Sequence, residues 1–194
     1  MSALAGPLHL VALVLVVSGA QKVGAPRPAA QAMRDAGLPV PVRAQWPGAA
    51  LGVVEAAIGL AVFAAPHRLS AAAVAAAYLG FAGFVVVLRR RDATAGCGCF
   101  GAASTPPTTT HVVVNLLSAG VALASTVAGV ADIADVLDEG VDVAVPYAVL
   151  VAVGAALLLL APVLLGQLDQ LVHGDQTPQF GLRRSTPRPS GAQR

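Results

Sequence analysis

Charge is what this sequence has least of. Of its 194 residues only 11% are Asp, Glu, Lys or Arg, where a soluble domain carries about 25%. Cysteine is nearly absent, and two such residues cannot make a disulfide framework, so no covalent staple holds the fold. Aromatic residues are 4% of the chain and are not interleaved with basic ones, and the net charge is only +2. Together these exclude the basic, base-stacking surface that binds nucleic acid. No Ser–His–Asp constellation, phosphate loop or metalloprotease motif is present, and no repeat of 20–50 residues is visible. What fills the space is apolar: 56% of residues are hydrophobic and the mean hydropathy is +0.74. The charges that exist gather in links and tails. This composition describes an all-α integral membrane protein.

Five apolar segments, at 3–20, 48–65, 69–88, 111–131 and 143–166, approach the length that a spanning helix needs, about 20 residues. They are rich in Ala, Gly and Val, and Gly48, Gly52 and Gly59 recur at helical spacing. In lipid, small residues let backbones approach and pack, so a close bundle is expected. Ser18-Gly19-Ala20 resembles a signal-peptidase site, but no Lys or Arg precedes the first segment, so a retained helix is the better reading.

The links differ in character. From Gln21 to Pro47 the chain is polar and proline-punctuated, with Pro28 placed to open a short interfacial helix and Gly37 to stop it. Trp46 stands at the edge of the second span, where an indole suits the headgroup layer. Pro66-His67-Arg68 is a tight turn. The stretch 132–142 is acidic, with Ile133, Val136 and Leu137 at the spacing of a short surface helix. Residues 167–194 are polar and, from Gln176, rich in Pro and Arg, the composition of a disordered tail.

Lys and Arg set the orientation. One face would receive Lys22, Arg27, Arg34, Arg43, Arg89, Arg90, Arg91 and the four tail arginines, the other only Arg68. This positive-inside bias puts the first link, the link after span three and the tail in the cytoplasm of a cell-membrane protein. Whatever the orientation, the alternation of spans brings Lys22, Cys97, Cys99 and His111 to one membrane face. Glu55 and Asn115 would lie roughly 6–10 Å below it at the helical rise per residue. Glu55 is the one ionisable residue well inside a span. A carboxylate there is costly, about 2.5 kcal/mol or more, so it must face the bundle and find a partner. It could carry a proton, or simply bond Asn115 or Lys22. Asn115 alone reads as helix–helix glue. The remaining histidines, His9, His67 and His173, read as packed or solvated.

The only cysteines form Cys97-Gly98-Cys99, in the polar link between spans three and four. Thiols one residue apart close a small, strained ring that is readily reduced again, which favours exchange over a structural bond. Arg89, Arg90 and Arg91 shortly before them favour the reactive thiolate. Metal is the rival chemistry, but a closed zinc site needs four ligands. Only His111 offers a third, so no metal site is expected.

The run Cys97-Gly98-Cys99-Phe100-Gly101 between two spans resembles the methylamine utilisation protein MauE family, which is related to DoxX-like membrane proteins. Ser18-Gly19-x-x-Lys22 closing span one, Glu55 in span two and Asn115 opening span four agree with it. The family usually has Arg before that Asn, and here Val114 takes its place. The resemblance covers about residues 8–131. It implies a four-helix transmembrane bundle with a redox-associated dithiol, to which the fifth, C-terminal helix is added. The organisation expected is therefore a membrane domain at 1–131, an acidic link at 132–142, a fifth span at 143–166 and the tail at 167–194.

The resemblance also implies a role in maturing a disulfide-containing partner of the methylamine-dehydrogenase type. In that reading Cys97 and Cys99 are the redox pair, Glu55 a proton carrier, and Asn115 and Lys22 part of a polar pocket. Electrons would pass to or from a quinone or a thioredoxin-like protein. Two other readings stay open: a non-catalytic scaffold or assembly subunit, and a metal or small-solute carrier.

Overall fold

A computed structural model describes residues 5–91, 93, 107–130 and 132–173. Every regular element among them is an α-helix: α1 (Ala5–Gly24), α2 (Pro26–Asp35), α3 (Trp46–Ala64), α4 (Arg68–Arg90), α5 (Thr109–Ala128), α6 (Ile133–Asp138) and α7 (Val141–His173). Five of these, α1, α3, α4, α5 and α7, are long and apolar enough to cross a membrane. They correspond to the five apolar segments of the sequence.

Local chemistry explains where the helices start and stop. Pro26 opens α2, where a missing N–H costs nothing. Beyond Asp35 the chain turns at Gly37 with φ +83°, a left-handed conformation that glycine adopts without strain. At the head of α4, the His67 ring accepts from the Leu69 N–H at 3.2 Å while the His67 N–H donates to the Ser70 hydroxyl at 3.2 Å. The turn expected at Pro66-His67-Arg68 is thus a cap, with Arg68 already inside the helix. Thr108 caps α5, and its backbone N–H donates to His111 Nδ1 at 3.3 Å. The acidic link does hold a short helix, α6, and Val136 on it is buried.

Two boundaries differ from the sequence reading, and the first is that α2 opens at Pro26 rather than at Pro28. The second is at α7, which continues past Gly166 to His173. The apolar run ends there, but Gln167-Leu168-Asp169-Gln170-Leu171-Val172 contains neither Gly nor Pro to stop the helix. Residues 174–194, which hold the rest of the expected tail, lie outside the described residues.

Helix α1 is the most enclosed of the five spans, with half of its apolar window buried. It lies antiparallel to α3, since Gly19 meets Gly52 while Gly59 meets Ala12 and Val16. It lies parallel to α7, since Gly6 meets Tyr147 and Leu10 meets Gly154. Helices α4 and α5 form the other close pair. Leu8, Val11, Leu15, Val62, Val74 and Tyr78 fill the seam where these helices meet. A second cluster joins Ala32 of α2 and Ala36 just beyond its end to Val85 and Leu88 of α4, with Val112 of α5 packed against it. This puts the end of α4 and the start of α5 beside α2, on the side where α1 finishes. Helix α7 is the least enclosed, with 11% of its apolar window buried, and Val149, Leu150, Val153 and Leu157 are exposed on it. Such a surface fits hydrocarbon rather than water.

Candidate functional site

Ser18 and Lys22 are four residues apart and therefore share a face of α1. Across from them, two and a half turns into α3, stands Glu55. Glycines bring the two helices close enough for these short bonds. A Cβ on Gly19 would sit 2.4 Å from the Gly52 carbonyl oxygen, and one on Gly52 would sit 2.6 Å from the Gly19 carbonyl oxygen. Both distances are far inside contact, so neither position admits a side chain without separating the backbones.

At this crossing Lys22 Nζ lies 2.7 Å from Glu55 Oε2, and both side chains are only 2% exposed. Lys22 also donates to Ser18 Oγ at 2.6 Å, and Ser18 Oγ donates to Glu55 Oε2 at 3.0 Å. The three groups close a triangle. The pair carries no net charge, which is how a lysine and a carboxylate can both be held in an apolar bundle. The face of Phe81, from α4, lies 5.7 Å from the ammonium. At that range the ring quadrupole adds a cation–π attraction. One polar atom is left over. Glu55 Oε1 is buried and has no hydrogen-bond partner among the described residues.

Beside the triangle is a cavity of about 350 Å³ between α2, α3 and α4. Lys22 and Glu55 form its polar end, and Met33, Ile58, Phe81 and Phe84 are among its apolar walls. It exists because α3 packs chiefly on α1 and α4 chiefly on α5, so that α3 and α4 touch only lightly. Val54 and Leu38, which also line it, are half exposed.

The residues singled out from sequence are thus distributed as follows. Lys22 and Glu55 come together directly, with Ser18 between them. His111 and Asn115 are both buried on α5, each 1% exposed. The Asn115 amide donates to the His111 carbonyl at 2.7 Å, within its own helix. His111 Nδ1 lies 2.8 Å from Thr108 Oγ1 and helps cap α5. Cys97 and Cys99 lie outside the described residues, in the link between α4 and α5.

Sequence reasoning passed over the two tyrosines. Tyr78 is buried and donates to the Val11 carbonyl at 2.8 Å, a bond between α4 and α1. His9, read as packed or solvated, is packed and fully buried. Its Nδ1 lies 2.5 Å from the Tyr147 hydroxyl, and its ring stacks on Phe63 with centroids 5.3 Å apart. Tyr147 thereby ties α7 to α1. The one available signal was that Tyr78 and Tyr147 are the only tyrosines, each inside an apolar segment where a hydroxyl needs an acceptor.

No curated protein and no solved structure matches this chain. A family model does: the one described as methylamine utilisation protein MauE matches residues 2–128, from the start of the chain to the end of α5. That span contains the Ser18–Lys22–Glu55 triangle, the Cys97-Gly98-Cys99 run and Asn115, and it makes up well over half the sequence. The chain belongs to the MauE family of membrane proteins.

Proposed function

We propose that this chain is a membrane thiol–disulfide exchange protein in which Cys97 and Cys99 are the redox pair. The observation that supports this reading is where the helix ends that flank their link lie. The link joins the end of α4 to the start of α5, and both of these pack beside α2 on the side where α1 finishes, the side that holds the Lys22–Glu55 triangle. The two ends of the link that carries both cysteines thus lie on the side of the one buried ion pair among the described residues. Exchange needs a thiolate that can attack and a neighbour that can resolve the mixed disulfide. The pair supplies both roles, and Arg89, Arg90 and Arg91 favour the thiolate.

The family name supports a disulfide-containing partner of the methylamine-dehydrogenase type, whose maturation the protein would serve. Electrons would pass to or from a thioredoxin-like protein or a quinone. Glu55, held by Lys22 and Ser18 with one oxygen unpartnered, is the group placed to take up a proton during that exchange. The basic residues at the ends of α1, α2 and α4 favour a cytoplasmic location for this face.

The test uses glutathione disulfide on the full chain in nanodiscs, read by intact mass. The first thiolate takes one glutathione as a mixed disulfide and releases the other as thiol. The second cysteine then displaces the bound glutathione, leaving an internal disulfide and a second free glutathione. Wild-type protein should lose two hydrogens and retain no glutathione, whereas Cys99→Ser should retain one. Wild-type protein that keeps two glutathiones would show that the cysteines do not form a pair, and would leave the scaffold reading in place.

A further inference from the structure

We infer that the cavity between α2, α3 and α4 is a binding site for a membrane-soluble hydroxyaromatic compound of the quinol class, whose hydroxyl donates to Glu55 Oε1. This names a lipid-soluble partner for the redox reading and rests on that reading for its use, though not for the binding itself.

The inference begins from the orphaned oxygen. Glu55 Oε2 accepts from both Lys22 and Ser18, while Oε1 is buried and accepts from nothing among the described residues. A buried acceptor without a donor costs on the order of 1–3 kcal/mol, and more for a charged group. Glu55 lines the cavity, so the missing donor can arrive there. It must be an O–H or N–H, because a carbonyl, ether or ester would place oxygen against oxygen.

The rest of the ligand follows from the walls. Apart from Lys22 and Glu55 the lining is wholly hydrocarbon and aromatic, with Phe81 and Phe84 on one wall and Met33, Leu51 and Ile58 among the others. Aromatic rings pair favourably with another ring in offset or edge-to-face arrangements. The volume of about 350 Å³ lies at the lower end of the range for small-molecule sites. That suits one substituted ring with the beginning of a tail rather than a whole phospholipid. Val54 of α3 and Leu38 of the α2–α3 link, both in the lining, are half exposed. Apolar side chains at the opening favour a ligand that is itself soluble in the bilayer. Ring, donor and apolar tail together describe a quinol.

Gly80 supplies the means to close the site without disturbing the fold. It lines the cavity, and a Cβ built on it meets nothing within 4 Å. Gly83 is equally open and is not part of the lining, so it serves as the control.

The probe is a quinol with a decyl tail, kept reduced under argon and bound to the full chain carrying Cys97→Ser and Cys99→Ser. Bound quinol is counted by native mass spectrometry. With both cysteines replaced, the outcome does not depend on whether the dithiol is redox-active. One quinol per chain should bind saturably. Gly80→Leu should weaken binding at least tenfold and Gly83→Leu should leave it unchanged. The dimethyl ether of the same compound, which has no hydroxyl to donate, should bind about tenfold more weakly, the worth of one hydrogen bond to a charged acceptor. Glu55→Gln should erase most of that difference. If the ether binds as well as the quinol, or Gly80→Leu binds like wild type, or no saturable binding is seen, the site is not a quinol site.

Discussion

A lysine and a carboxylate held at 2% exposure in an apolar bundle depend on each other more than on anything else around them. Removing one partner strands the other, which for buried pairs costs about 3–5 kcal/mol. Lys22→Met should therefore lower the thermal stability of the purified protein sharply. Lys22→Met combined with Glu55→Leu should recover most of the loss, because two well-packed apolar side chains need no partner. A double variant as unstable as the single one would mean that the pair is not the source of the cost. Glu55 was legible in the sequence because it is the one carboxylate deep in a span, and its need for a partner follows from solvation alone. That the partner is Lys22 rather than Asn115 was not legible. The choice depends on which face α1 turns toward α3, and two positions 33 residues apart in the chain do not report it. Asn115 instead bonds the His111 carbonyl of its own helix, a use that any helical asparagine has open to it.

At the level of elements, the contact between α1 and α3 is made by glycine, and the geometry of the ion pair depends on it. Gly52→Val should force the helices apart, since its Cβ alone would lie 2.6 Å from the Gly19 carbonyl and 2.8 Å from Lys22 Cβ. The expected result is a large loss of folded protein in membranes, measured by size-exclusion chromatography of a fluorescent fusion. Gly120→Val should be tolerated, because a Cβ there meets nothing within 4 Å. Equal behaviour of the two variants would contradict a glycine-mediated crossing. The spacing of Gly48, Gly52 and Gly59 announced a close helix contact but not its partner. The helix ends were readable to within a few residues where Pro28, Gly37 and the Pro66-His67-Arg68 turn act locally. The extension of α7 to His173 was missed because a loss of hydropathy was read as the loss of a helix. Hydropathy tells where the bilayer ends, whereas the helix ends where its hydrogen bonding is broken.

For the whole molecule, α1 runs antiparallel to α3 and parallel to α7, as five consecutive crossings require. Combined with the distribution of Lys and Arg, this supports the proposal that the α4–α5 link and the end of α7 face the cytoplasm. In intact cells an impermeant maleimide should leave Cys97 and Cys99 unlabelled, and in inverted vesicles it should label both. Labelling in intact cells would reverse the orientation. The all-helical character, the five apolar helices and the family were legible at this scale, since composition and the Cys97-Gly98-Cys99-Phe100-Gly101 run carry them. The cavity beside Glu55 was not, because a gap left between two helix pairs has no sequence signature.

The central claim is that Cys97 and Cys99 form a reversible dithiol couple, and its most direct test is an equilibrium redox titration of the full chain in nanodiscs. Protein is equilibrated across a series of thiol–disulfide buffers, free thiols are trapped by alkylation, and the reduced fraction is read by intact mass. The account predicts a single reversible transition with a two-electron slope of about 30 mV per tenfold change in the couple. Its midpoint should lie above about −300 mV, the region of exchanging rather than structural disulfides. Cysteines that stay reduced across the whole series, or that oxidise without returning, would contradict it.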